Sequence, residues 1–88
     1  MSAERWSQLT RMQLRVALRL AVGDSMQEIA DEFFLSVKTI QTHRAAVLRK
    51  LWLCNDVQLA RAAIRDGMVT LDEFLERARK AHIKEMAS

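Results

Sequence analysis

The apolar residues of this chain cluster in stretches separated by short polar breaks, and the breaks read as helix starts and stops. In the first stretch Leu14, Val16, Ala17, Leu18, Leu20, Ala21 and Val22 follow Leu9-Thr10 and end at Gly23. Thr10 with Gln13 three residues on predicts a capping box, and Leu9 can staple to Leu14. Gly23 supplies a left-handed stop. These apolar positions are too many for one stripe, so this helix must be covered on two sides. The next helix opens with Ser25 as N-cap and Glu28 as the second half of a capping box; Met26, Ile29, Ala30 and Phe33 form its short stripe. A third opens at Ser36, with Leu35 and Ile40 placed to staple, and runs over about 37–51.

This third helix divides into two faces. Ile40, His43, Val47 and Leu51 fall at helical spacing and are expected in the core. Lys38, Gln41, Thr42, Ala45 and Arg49 also fall at helical spacing and are expected outside. Between Val37 and Trp52 the chain carries Lys38, Arg44, Arg49 and Lys50 and no acidic residue. A short helix, a tight turn and a basic helix with a small polar outer face form the helix-turn-helix pattern, whose second helix can enter the major groove of DNA.

A fourth helix is expected from a cap at Asn55, with Gln58 three residues on, to about Asp66, closed by Gly67. Leu59, Ala60, Ala63 and Ile64 make one face; Val57, Arg61, Ile64 and Met68 make a partly apolar second one. Thr70-Leu71-Asp72-Glu73 opens a fifth helix to about Glu85, with Leu71, Phe74, Leu75, Ala78 and Ala81 as its stripe. Its acidic residues come early and its basic ones late, as the helix dipole prefers. Residues 1–8 read as a frayed arm anchored only by Trp6. The resulting organisation is an arm (1–8), a core domain (9–69) and an additional helix (70–88).

Composition narrows the class. The chain has 88 residues, no proline and two glycines, which argues for one all-α domain. A net charge of +3 is compatible with nucleic acid without proving it. The single cysteine, Cys54, excludes an internal disulfide and suits a reducing, cytoplasmic setting. It has no metal-ligand spacing around it and reads as inert. No apolar run is long enough to span a membrane. With two separated histidines, no glycine-rich phosphate loop and no paired-acid motif, an enzyme is not expected, and neither metal nor cofactor is called for. His43 reads as a structural, hydrogen-bonded histidine; Trp6 and Trp52 read as packing residues.

Residues 9–69 resemble the DNA-binding domain of the LuxR family, also called GerE-like or NarL-like. The resemblance rests on Leu9-Thr10, Val16, Gly23, Ser25, Glu28-Ile29-Ala30, Ser36, Thr39-Ile40, His43, Val47, Lys50-Leu51, Ala63 and Gly67, matched without insertion. It implies a four-helix domain, transcription regulation, and dimerisation through the fourth helix, whose second face offers Val57, Arg61, Ile64 and Met68. It places Gln41, Thr42 and Ala45 at base edges, and Gln27, Lys38, Thr39, Arg44 and Lys50 near phosphates. The side-chain chemistry agrees. Gln41 can bond adenine bidentately, and Thr42 and Ala45 can touch thymine methyls. Arg49 joins the phosphate set by charge and reach.

The departures from the family pattern carry information. Met12-Gln13 stands where Arg-Glu is usual, Trp52 where Gly is usual, and Asp56 where Arg is usual; Phe34 occupies a turn position that commonly holds a small or polar residue. No sensor domain is expected ahead of the match. The leading expectation is a stand-alone, sequence-specific DNA-binding regulator acting as a homodimer on double-stranded DNA, nucleoid-associated when bound. The competing one is a LuxR-like interaction protein that pairs with a larger regulator; another transcription regulator or RNA polymerase is the further candidate partner. Helix one carries Leu14, Leu18 and Val22, where the family usually has polar residues. Helix five carries its own stripe. The two stripes are expected to cover each other, within the protomer or across the dimer, the alternative being a tail free for another protein.

Overall fold

The computed structural model describes residues 3–87, which form a 3-10 helix, Ala3–Gln8, and five α-helices. These are α1 (Arg11–Ala21), α2 (Met26–Phe33), α3 (Val37–Leu51), α4 (Asp56–Arg65) and α5 (Leu71–Ala87); no strand occurs among the described residues. Each α-helix starts at a side-chain oxygen that accepts a backbone N–H three residues on. Thr10, Ser25, Ser36, Asn55 and Thr70 bond to Gln13, Glu28, Thr39, Gln58 and Glu73. In α1 and α2 the reciprocal bond to the cap's own N–H completes the capping box. The boundaries of α2 and α3 follow the sequence reading, while α5 runs two residues beyond its expected end at Glu85.

The helix ends share one device. Backbone bonds from Asp24 to Arg19, Leu35 to Ala30, Leu53 to Leu48 and Met68 to Ala63 span five residues and close the last turn of α1, α2, α3 and α4. Each bond needs a left-handed residue before it. Gly23 and Gly67 provide two of these, at no steric cost. Phe34 (φ 57°) and Trp52 (φ 59°) provide the others. Both aromatic side chains stand in solvent, 94% and 91% exposed. Trp52 is therefore not the packing residue that its size suggests.

The core gathers around α1, which packs on both α3 and α4. Val16, Ala17, Leu20 and Ala21 of α1 meet Ile29 and Ala30 of α2, Ile40, Val47, Leu48 and Leu51 of α3, and Leu59, Ala62 and Ala63 of α4. The two-sided coverage expected for α1 is thus supplied by α3 and α4. Leu14 and Leu18 are half-buried at the edge of this core, and Val22 is buried within it.

Two expectations are corrected. The N-terminal arm is not frayed over its described part. Trp6 is buried, and its indole N–H donates to Asp66 Oδ2 at 2.9 Å. Arg5 Nε donates to the same oxygen at 2.9 Å. The Asp66 side chain is only 2% exposed, and it caps the C-terminal end of α4. Its carboxyl is held below the ordinary carboxylate range, chiefly by the Trp6 hydrogen bond and then by Arg5, against the opposing effect of burial. The second correction concerns α5. Of its stripe, Phe74 is half-buried, while Leu71 and Leu75 are 55% and 54% exposed and do not cover α1 within the protomer. The helix is tied down by charge instead, with Arg77 Nη1 donating to both carboxylate oxygens of Asp24 at 2.9 and 3.0 Å.

Candidate nucleic-acid interface

All five residues expected on the outer face of α3 are exposed: Lys38, Gln41, Thr42, Ala45 and Arg49. On the opposite face Ile40, Val47, Leu48 and Leu51 are buried. The core formed with α1, α2 and α4 fixes this orientation, because rotating α3 would expose its apolar positions at about 25 cal/mol per Å². The helix enters the surface through Ser36, whose Oγ accepts from Thr39 N–H and lies 2.9 Å from Thr39 Oγ1. Thr39 is half-buried there. Thr42 donates its hydroxyl to the carbonyl of Lys38 at 3.1 Å, which ties its side chain to its own helix.

The cations of α3 separate into two kinds. Lys38 and Arg49 make no hydrogen bond or ion pair among the described residues and are exposed. They are eleven positions apart, about 16 Å along the helix. Arg44 and Lys50 are both half-buried and both engaged. Arg44 Nε donates to Asp56 Oδ1 at 2.7 Å. Lys50 Nζ donates to Gln13 Oε1 at 2.8 Å and to the Gln8 carbonyl at 3.3 Å. Two of the residues that depart from the family pattern are therefore the partners: Asp56 takes Arg44, and Gln13, already the N3 residue of the α1 capping box, also takes Lys50. Sequence reasoning missed both links. The acidic residue just past a basic run was the available signal for the first; nothing local pointed to the second, which joins residues 37 positions apart.

Gln27 on α2 is exposed and donates to Asp31 Oδ1 at 2.8 Å. His43 is half-buried and makes no hydrogen bond among the described residues, so its expected partner is absent. Cys54 is exposed beyond the C-terminal end of α3. On α4, Val57 is 67% exposed, Arg61 is exposed and Ile64 is half-buried; Met68, just past the turn that closes α4, is half-buried too. Those four residues form a mixed apolar and cationic surface of the protomer.

Behind the interface, on α1 and α2, Arg15 and Arg19 lie over the Phe33 ring with guanidinium carbons 4.5 and 5.8 Å from its centroid. Arg19 also pairs with Asp24 and Glu32, and Arg77 joins Asp24 from α5. This network fastens the corner between α1 and α2, and so the platform from which the turn and α3 project.

Comparison with known proteins places this geometry. The sequence profile of "Bacterial regulatory proteins, luxR family" matches residues 7–63, more than half of the chain. The chain is 47% identical over 60 residues to the transcriptional regulatory protein UhpA of Salmonella typhimurium, covering 68% of this chain and 31% of that protein. It is 44% identical over 61 residues to UhpA of Escherichia coli, covering 69% of this chain and 31% of that protein. It is 39% identical over 61 residues to the response regulator GacA of Pseudomonas aeruginosa, covering 69% and 28% respectively. The chain thus spans less than a third of the length of these relatives. No solved structure matches it.

Proposed function

The chain belongs to the luxR family of bacterial regulatory proteins, a family of DNA-binding transcription regulators rather than enzymes, and from that premise we propose that it binds specific DNA sequences as a homodimer, with α3 in the major groove. The observation that carries the reading is the outer face of α3. It presents Gln41, Thr42 and Ala45 between two cations that have no partner among the described residues, with every large apolar residue of the helix turned inward. Small polar residues can approach base edges closely, and the flanking cations can hold phosphates on either side. Gln41, Thr42 and Ala45 read bases in this proposal. Lys38 and Arg49 are the principal phosphate contacts, with Gln27 and Thr39 near the backbone. Arg44 and Lys50 reach phosphate only by giving up Asp56 and Gln13, so they are secondary.

The dimer in this reading forms through Val57, Arg61 and Ile64 of α4 and Met68 just past it, and a two-fold axis there sets two recognition helices about one DNA turn apart. A reducing cytoplasm, on the nucleoid, is the setting that such a regulator needs. Gel shifts with genomic fragments, followed by base-substituted sites, test the proposal. Gln41→Ala should relax preference at one position per half-site, costing about 1–3 kcal/mol there. Lys38→Ala should weaken all sequences alike and flatten the salt dependence. With Lys38 and Arg49 from two protomers at phosphates, the log–log salt slope should be about −4. Equal behaviour of the two variants, or a flat salt response, would count against the assignment.

A second reading is favoured by one observation, the 91% exposure of Trp52 at a site where an aromatic ring costs backbone energy. In it the chain docks on a larger regulator or on RNA polymerase and modifies its action. A pull-down that captures such a regulator, together with gel shifts that fail on every genomic fragment, would favour it.

A further inference from the structure

Helix α5 turns its leucines outward. With about 3.6 residues per turn, Glu73, Glu76 and Arg77 share one side of it and Leu71, Leu75 and Ala78 the other, with the half-buried Phe74 at the boundary beside Arg77. The charged side lines a groove of about 290 Å³ whose other walls are Leu18, Arg19, Val22, Met68 and Val69. The bidentate Arg77–Asp24 link, to a carboxylate whose side chain is 7% exposed, holds the helix in that orientation. Leu71, Leu75 and Ala78 consequently face solvent, Leu71 and Leu75 more than half exposed. A surface helix normally turns its stripe to the core. Here the core is already closed by α3 and α4, and the stripe points at whatever lies outside.

We propose that this stripe is covered by α5 of a second copy of the chain, the two helices running antiparallel about a two-fold axis. The charge order along α5 carries the choice of occupant. Asp72 precedes Arg79 on the flank of the leucine stripe, so antiparallel copies set each against the other's opposite charge, whereas parallel copies set like against like. The exposed residues fix a register, with the axis beside Leu75 so that the two Leu75 side chains meet. In the same register Asp72 flanks Arg79 of the second copy. Among the described residues Asp72 makes no hydrogen bond or ion pair, and Arg79 pairs with the exposed Glu76 of its own helix. The pairing rests on the homodimer of the proposed function and adds a second contact to it. Met68 belongs both to the α4 face and to the groove under α5, so the two surfaces adjoin.

Sedimentation of the full chain over a concentration series tests the pairing. Leu71→Glu combined with Leu75→Lys keeps the net charge and alters only exposed positions, so circular dichroism should be unchanged while the dissociation constant rises at least tenfold. An Asp72→Arg chain and an Arg79→Asp chain should each self-associate more weakly than the parent, and their mixture should form a heterodimer tighter than either homodimer. Self-association of the double variant within twofold of the parent would overturn the pairing, as would a mixture no tighter than its components. Loss of another protein's binding without loss of self-association would overturn it too. Ile64→Glu on α4 separates the two contacts. If it alone yields monomers, the α5 pairing fails and the α4 dimer stands. If only the α5 variants yield monomers, the pairing stands and the α4 placement fails.

Discussion

Helices α3 and α5 are built from similar material and used in opposite ways. Both are amphipathic, both open at a hydroxyl cap, and both carry several arginines and lysines. In α3 the apolar residues face α1 and α2 and the polar residues face out; in α5 Arg77 reaches inward to Asp24 and the leucines face out. An amphipathic pattern therefore specifies a helix and its two faces without specifying which face meets the body. That is decided by what the rest of the chain has left uncovered. Helix α3 covers the core with its apolar face; beside α5 the core is covered by α4, Val69 and α1, and Arg77 pairs there with Asp24, whose side chain is 7% exposed.

The contrast can be broken most directly at the leucines. Leu51→Ala on α3 should destabilise the protomer by about 2–5 kcal/mol, because it opens a cavity at a fully buried site. Leu75→Ala on α5 should change protomer stability by less than about 0.5 kcal/mol, since its side chain is more than half exposed. Urea denaturation at concentrations low enough to dissociate any dimer measures both. Similar losses at the two sites would mean that α5 is packed on the body through its stripe after all.

A smaller effect sharpens the same lesson at the other terminus, where Trp6 does turn its apolar bulk inward and uses an ion to hold its polar edge. Asp66→Ala leaves the Trp6 N–H and the Arg5 Nε without their acceptor and should cost about 1–3 kcal/mol at neutral pH. The pH dependence follows from the direction of the Asp66 shift. Its folded carboxyl titrates below the ordinary value of 3.8, so the folded state gains from ionisation. The advantage over Asp66→Ala should be complete above about that value and shrink as pH falls through the lowered one. Melting curves of the two proteins from neutral to strongly acidic pH should converge at the acid end; a constant gap would remove the carboxylate from the explanation.

Much of the fold was legible because it is local. A hydroxyl or amide three residues ahead of a backbone N–H, an apolar repeat of three and four, and a glycine after the last turn each act within one element. They located the five helices and both faces of α3. The exposed residues of that face, Lys38 through Arg49, were legible for the same reason. What escaped the sequence is contact between distant elements: Trp6 and Arg5 with Asp66, Lys50 with Gln13, and Arg77 with Asp24. Single charged or aromatic residues can pair with many others, and only the assembled fold brings one pair within reach. The state of Arg44 and Lys50 as engaged rather than free cations belongs to this second class. So does the outward stripe of α5, because amphipathicity alone does not name the surface it meets.

The smallest effect concerns Trp52, where local rules and the observed residue disagree. The backbone after α3 takes φ 59° and ψ 45°, and the N–H of Leu53 bonds the Leu48 carbonyl at 2.8 Å across it. That geometry is free for glycine and costs about 1–2 kcal/mol for a residue with a β-carbon. Tryptophan regains nothing from the core here, being 91% exposed. Trp52→Gly should therefore stabilise the chain, by less than the full strain because glycine also gains freedom in the unfolded state, worth roughly 0.4–1 kcal/mol. A net gain of about 0.5–1 kcal/mol is expected, read as a rise in melting temperature with unchanged circular dichroism. The same substitution separates backbone strain from function. If the glycine variant is more stable and binds DNA as before, the indole has no part in that binding. A more stable variant whose DNA affinity falls instead assigns the exposed ring to the DNA-bound state, and a less stable one would mean that the ring packs on something that its exposure in the protomer does not reveal.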